Sequence, residues 1–173
     1  MNRWMRAGLI AVCLLCTQAA WAQEAPAEDE RLAWFRDARL GIFIHWGIYA
    51  VDGIDESWSF FNGYVSYDDY MAQLDGFTAE NYKPKDWAKL IERSGARYAV
   101  LTTKHHDGYC MFDTVTNDFN AARTGPGRDL VAEFVEACRE YGLKVGLYYS
   151  LMDWYHPDGA SCAYDSQARR RFL

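Results

Sequence analysis

Tyr98-Ala99-Val100-Leu101-Thr102-Thr103-Lys104-His105-His106-Asp107-Gly108 is an apolar run that closes in polar, titratable residues. A buried parallel strand reads as a near-continuous apolar segment, and its C-terminal end is where it delivers side chains into a site. The same pattern stands upstream, where Gly41-Ile42-Phe43-Ile44 runs into His45-Trp46-Gly47. It stands again downstream, where Lys144-Val145-Gly146-Leu147-Tyr148-Tyr149-Ser150 leads to Asp153-Trp154. Three strands ending in His, His-His and Tyr read as one rim of one pocket.

Between these strands the hydrophobic period changes to that of helices. From Asp86, residues Trp87, Leu90 and Ile91 share a face, and Gly95 is the stop. Asp129 opens a second helix whose buried face is Leu130, Val131, Phe134, Val135 and Cys138, stopped by Gly142. A short helix is expected at Leu32 to Phe35, and another begins near Asp165. With strands at Leu40 to Ile44, Arg97 to Thr103 and Lys144 to Tyr149, the order is β-α-β-α-β-α. That order implies an α/β domain of parallel strands joined by right-handed crossovers. A barrel and an open doubly wound sheet both fit, although no Gly-rich phosphate loop follows any strand. Tyr49 to Gly76 has no sustained period, but Trp58, Phe60, Phe61, Tyr64, Tyr67 and Tyr70 make it an ordered, functional loop.

Three strands cannot close a barrel, and an open edge after the third would expose apolar faces. Residues 32–173 are therefore expected to be the N-terminal portion of a longer protein. A small layered domain completed by oligomerisation is the alternative.

Half of the 173 residues are apolar, enough to bury a core, and aromatics make up 16%. So many aromatic rings serve packing, or a platform for the C–H faces of sugars. Residues 1–22 read as a secretory signal, with Arg3 and Arg6, an apolar core from Ala7 to Cys16, and an Ala20-Trp21-Ala22 cleavage site. That core is too short for a stable membrane anchor, so a secreted or periplasmic location is expected. A buried N-terminal helix is the alternative. Residues 23–31, with Pro26 and several acidic side chains, read as a flexible lead-in. Removing Cys13 and Cys16 with the signal leaves Cys110, Cys138 and Cys162, an odd number that gives no complete disulfide framework. The formal charge of −6 becomes −8 once the two positive charges of Arg3 and Arg6 leave. With no basic stripe, nucleic acid and anionic membrane are poor partners, and an uncharged ligand suits the surface better.

His105-His106-Asp107 invites a metal reading, and a metal-dependent hydrolase built on it is one alternative. Adjacent strand residues face opposite sides, however, and no further His or Cys lies at a familiar ligand spacing. Hydrogen bonding to hydroxyls suits the pair better, because neutral imidazole offers one donor and one acceptor. No metal and no cofactor is expected. Tyr148 and Tyr149 alternate faces, so one points to the pocket. Glu56-Ser57-Trp58 and Asp153-Trp154 each place a carboxylate beside an indole. A glycosidase needs two carboxylates about 5–10 Å apart across the scissile bond.

Gly41 to Gly47, Thr102 to Gly108, Gly125 to Val131 and Gly146 to Ser150 resemble the α-L-fucosidase family of glycoside hydrolases (family 29). The resemblance runs in order from about Leu32 to Gly159. It implies a (β/α)8-like TIM barrel, of which this chain holds the first three β/α units, and a retaining mechanism with a covalent fucosyl-enzyme intermediate. By motif, His45, His105 and His106 would bind fucose hydroxyls, and Tyr148 would lie close to the reacting centre. Trp46 would support His45 or the apolar face of the sugar. Glu56 and Trp58, separated here by Ser57, fall where the family has a Glu and a Trp reaching the site. The family's nucleophile is an Asp at the end of the next strand, and its acid/base comes later still. No catalytic carboxylate is therefore assigned within residues 1–173, and the fragment alone is expected to be inactive. The implied substrate is a fucosylated oligosaccharide or glycoconjugate. A catalytically silent fucose-binding module is the further alternative.

Overall fold

The computed structural model describes residues 30–172. The expected signal segment, residues 23–29 of the lead-in, and Cys13 and Cys16 lie outside them. The chain divides into two compact units, Met1–Asp37 and Ala38–Leu173. In the first, a 3-10 turn at Glu30–Leu32 leads into α1 (Ala33–Ala38), which crosses the boundary.

The second unit is built on three parallel strands, β1 (Gly41–Ile44), β2 (Tyr98–Lys104) and β3 (Lys144–Tyr149), in the order β1-β2-β3. Their positions agree with the apolar runs to within one residue at each end. The register sets Gly41 opposite Tyr98 and Ile44 opposite Leu101. Tyr98 lays its ring across Gly41, where an added Cβ would fall 2.0 Å from the ring, so any larger residue there would displace the Tyr98 ring. Between β2 and β3 the register slips: Thr102 pairs with Tyr148, yet Lys104 pairs with Tyr149. Thr103 is the extra residue of a bulge, a device that re-aims the end of a strand.

Two helices cover one face of the sheet, α4 (Pro84–Arg93) and α5 (Leu130–Glu140). Pro84 occupies the first turn of α4, so the helix begins ahead of Asp86. The Asp129 carboxylate accepts from the Ala132 N–H at 2.8 Å and caps α5. Leu101 from β2 and Leu130, Phe134 and Cys138 from α5 are wholly inaccessible, and together with Ala99 and Ile91 they form the core. Burying a side chain such as Phe134 contributes about 2 kcal/mol. The opposite face of the sheet presents Phe43, 54% exposed, and Tyr148, with ring centroids 5.6 Å apart.

The aperiodic stretch after β1 folds as short turns: a 3-10 turn at Ile48–Ala50, α2 (Trp58–Phe61), α3 (Tyr67–Ala72) and a 3-10 turn at Gln73–Gly76. None is long enough to show a helical period, and tertiary contacts hold them instead. The last element is α6 (Ser166–Phe172). Cys110 and Cys138 are buried free thiols, and Cys162 is a half-buried one. Burial raises the pKa of Cys110 and Cys138, which marks both as packing residues rather than nucleophiles. Among the described residues no helix is long and apolar enough to cross a membrane.

Candidate active site

The end of β2 turns back at once. The Gly108 N–H donates to the His105 carbonyl at 3.1 Å, and the Met111 N–H returns to the Thr103 carbonyl at 2.8 Å. His105 and His106 therefore lie in a turn rather than on the strand. Their rings come within 4.9 Å of each other, where adjacent strand residues would point apart. Gly108 holds φ at +85°, and a Cβ there would meet Tyr155 and Asp153 at 2.6 and 2.7 Å. Glycine is thus required both for the turn and for the close approach of the loop after β3.

Four of the expected site residues gather around this turn. The His45 ring lies 5.0 Å from that of His105 and 6.1 Å from that of Tyr148. Tyr148 stacks on His105 at 6.0 Å, and its hydroxyl accepts from Ser150 Oγ at 3.3 Å. Glu56 joins from the loop before α2, with its carboxylate and the ring nitrogens of His45 and His105 all within 4.8 Å of one another. Trp58 stands edge-on to His106 at 5.7 Å and is 42% exposed. Trp46 does not join them. Facing the other way, it packs against Phe77, Tyr82 and Trp87 at 4.8–5.3 Å and lines a separate cavity of about 380 Å³. Neighbouring residues at a strand end alternate in direction, so His45 and Trp46 serve opposite sides.

The hydrogen bonds define what each ring can do. His106 Nδ1 lies 2.8 Å from the Met152 carbonyl. A carbonyl only accepts, so Nδ1 carries the proton, and in the neutral ring Nε2 presents a lone pair. His105 Nδ1 is hydrogen-bonded to Ser57 Oγ, and the residue is 4% exposed. Burial, followed by the charges of His106, His45 and Lys104, lowers the His105 pKa to about 3, so the ring is neutral at physiological pH. Neutral imidazoles are both donors and acceptors, which suits the binding of sugar hydroxyls.

Asp107 takes no part in this cluster. It is 2% exposed, accepting from the Tyr70 hydroxyl at 2.7 Å and from the Tyr109 N–H at 2.9 Å. Burial raises its pKa to about 6 against those bonds and the Lys104 charge. His105, His106 and Asp107 therefore do not converge as a metal site. Among the described residues the set with ligand-like spacing is His45, Glu56 and His105. One nitrogen of His105 is already engaged by Ser57, which leaves one nitrogen for any further partner. Ser57, Tyr70 and Trp154, which stacks on His106 at 4.4 Å, were not assigned to the site from the sequence. Ser57 and His105 lie 48 residues apart and Tyr70 and Asp107 lie 37 apart, beyond any local pattern.

These pKa values set a pH dependence. An unfolded His105 would titrate near 6.5, so between that value and about 3 the unfolded chain binds more protons. The His105 contribution to stability is complete above about 6.5 and is lost as pH falls. Asp107 acts oppositely, binding more protons in the folded state between 3.8 and about 6. Its contribution is lost as pH rises through that window. Of these two groups, only His105 still acts between 3.8 and about 3. His105→Gln should therefore flatten the acid-side fall of the thermal midpoint, most clearly between about pH 3 and 4. A variant that keeps the original acid slope would exclude His105 as its source.

The sequence profile of the alpha-L-fucosidase family matches residues 14–172. The chain belongs to the alpha-L-fucosidase family. It is 37% identical over 153 residues to the human tissue alpha-L-fucosidase, a match covering 76% of this chain and 32% of the relative. The chain thus spans about a third of the length of the curated fucosidases it matches. Among solved structures it is similar to alpha-L-fucosidase isoenzyme 1 from Paenibacillus thiaminolyticus, with 47% identity and a TM-score of 0.69. That match covers 75% of this chain and 30% of the other. It is also similar to a Bacteroides thetaiotaomicron alpha-L-fucosidase, solved as a covalent intermediate trapped with 2-fluoro-fucosyl fluoride. There the identity is 32%, the TM-score 0.74, and the coverage 87% of this chain and 37% of that one.

Proposed function

We propose that this chain forms the sugar-recognising part of a secreted α-L-fucosidase that hydrolyses terminal α-L-fucose from oligosaccharides or glycoconjugates with retention. The observation that carries this reading is the meeting of His45, Glu56, His105, His106 and Tyr148 at the C-terminal ends of three parallel strands. His45, His105 and His106 bind the fucose hydroxyls, with His106 Nε2 as an acceptor and Glu56 as a further acceptor beside His45. Trp58 closes the apolar side. Tyr148 faces the reacting carbon, with its hydroxyl held by Ser150. Trp46 belongs to the packing beneath the site and leaves the sugar's apolar face to Trp58.

Retention is supported by the covalent intermediate trapped in the Bacteroides relative, since a glycosyl-enzyme requires a nucleophilic carboxylate and double displacement. The nucleophile and the acid/base are assigned outside residues 1–173. The scaffold is the first three β/α units of a (β/α)8 barrel. Parallel sheets are covered on both faces, and the exposed Phe43 marks the face that further strands would enclose. Secretion rests on the n-region, apolar core and A-x-A order of residues 1–22.

The test uses the full-length enzyme and an aryl α-L-fucoside, following the anomer of fucose released first by NMR. α-L-Fucose is expected, and β-L-fucose would overturn the retaining assignment. Residues 1–173 alone should bind L-fucose without releasing the aryl alcohol. Turnover by them would overturn the placement of the carboxylates, and binding without turnover by the full-length protein would favour a fucose-binding module.

A further inference from the structure

Lys104 is 2% exposed, a rare place for an ammonium group. Its Nζ lies 3.0 Å from the Ser150 carbonyl, 3.4 Å from the His105 carbonyl and 3.3 Å from the Asp153 carboxylate, over the ring of Tyr149 at 4.9 Å. Asp153, 17% exposed, uses its other oxygen to receive the N–H groups of Tyr155 at 2.9 Å and His156 at 3.2 Å. One ion pair thus ties the bulged end of β2 to the loop that follows β3. The residues flanking Asp153 both hold His106. Met152 supplies the carbonyl that fixes the Nδ1 proton, and Trp154 stacks on the ring while its backbone N–H donates to the His106 carbonyl at 2.7 Å. On the far side Trp154 rests on Phe61 at 4.4 Å, so His106 lies at the end of a stack anchored in α2.

Desolvation of two buried charges offsets most of their attraction, so a buried pair contributes little net stability and is better suited to specifying one arrangement. From this geometry we propose that Lys104 and Asp153 are a positioning pair. By locking the two loops together, they set the ring orientation and tautomer of His106. The consequence for ligand rests on the fucose-binding reading above; the consequence for His106 does not.

The test compares Lys104→Met, Asp153→Asn and the double variant in the full-length protein with 15N-labelled histidine. Each single change strands one charge and should lower the thermal midpoint, whereas the double change removes both charges and should restore most of it. The Asp153→Asn side chain keeps an oxygen that accepts from the Tyr155 N–H, so the loop retains its cap. In the restored double variant the imidazole 15N shifts of His106 should move from a single Nδ1–H form to a mixture of tautomers, and L-fucose affinity should fall about tenfold. A folded double variant with the original His106 nitrogen signature would overturn the proposal. If the double variant does not fold, Asp153→Asn alone carries the same nitrogen measurement, and an unchanged signature there overturns it equally. Absence of L-fucose affinity in the wild type would overturn the fucose reading instead, leaving the nitrogen shifts to decide the pair.

Discussion

His105→Ala should lower kcat/KM of the full-length enzyme on an aryl α-L-fucoside by at least about 100-fold, roughly 2.7 kcal/mol of lost transition-state binding. The ring sits between His45, His106 and Tyr148 and is hydrogen-bonded to Ser57, so its removal takes out the centre of the cluster. A polar ligand group facing that gap would be left without a partner, which costs more than the net value of one hydrogen bond. His105→Gln retains a donor and an acceptor and should recover part of the loss. Calorimetry with L-fucose separates binding from turnover, and thermal unfolding of each variant separates both from folding. Wild-type fucose affinity in a folded His105→Ala variant would remove His105 from the binding set.

Asp107→Ala is the substitution with the largest expected effect on stability, about 3 kcal/mol. It would leave the Tyr70 hydroxyl and the Tyr109 N–H buried without their acceptor, at about 1–3 kcal/mol each, partly offset by relieving a desolvated carboxyl. Tyr70 is wholly inaccessible, so water cannot replace the lost partner without a rearrangement of α3. Asp107→Asn keeps an acceptor and should lose less. Equilibrium denaturation in urea measures both, and a loss under about 1 kcal/mol for the alanine variant would show that Asp107 is not the anchor of this loop.

The strands and the longer helices were legible because each carries its own period or cap. Apolar runs ended within a residue of β1, β2 and β3, and Asp129 announced α5 by its side chain alone. The short turns between Ile48 and Gly76 were not legible, since elements of three to six residues cannot display a helical face. The pairing of His105 with His106 was legible as two imidazoles but not as two neighbouring rings. A strand would have separated them, and a turn closed by Gly108 brings them together. Trp46 was expected beside His45, and its ring instead completes an aromatic cluster with Tyr82 and Trp87.

By itself the sequence determined the parallel α/β order, the family, and the chemical identity of the groups gathered at the candidate site, because these depend on local periodicity and on short motifs. Only the tertiary structure decided which groups share one space. Ser57 holds His105 from 48 residues away, and Tyr70 holds Asp107 from 37. Lys104 reaches 46 residues along the chain to Ser150, in the loop where Asp153 neutralises its charge. Such contacts follow from burial: an ion or a hydroxyl removed from water takes whichever partner the packing supplies, regardless of its distance along the chain.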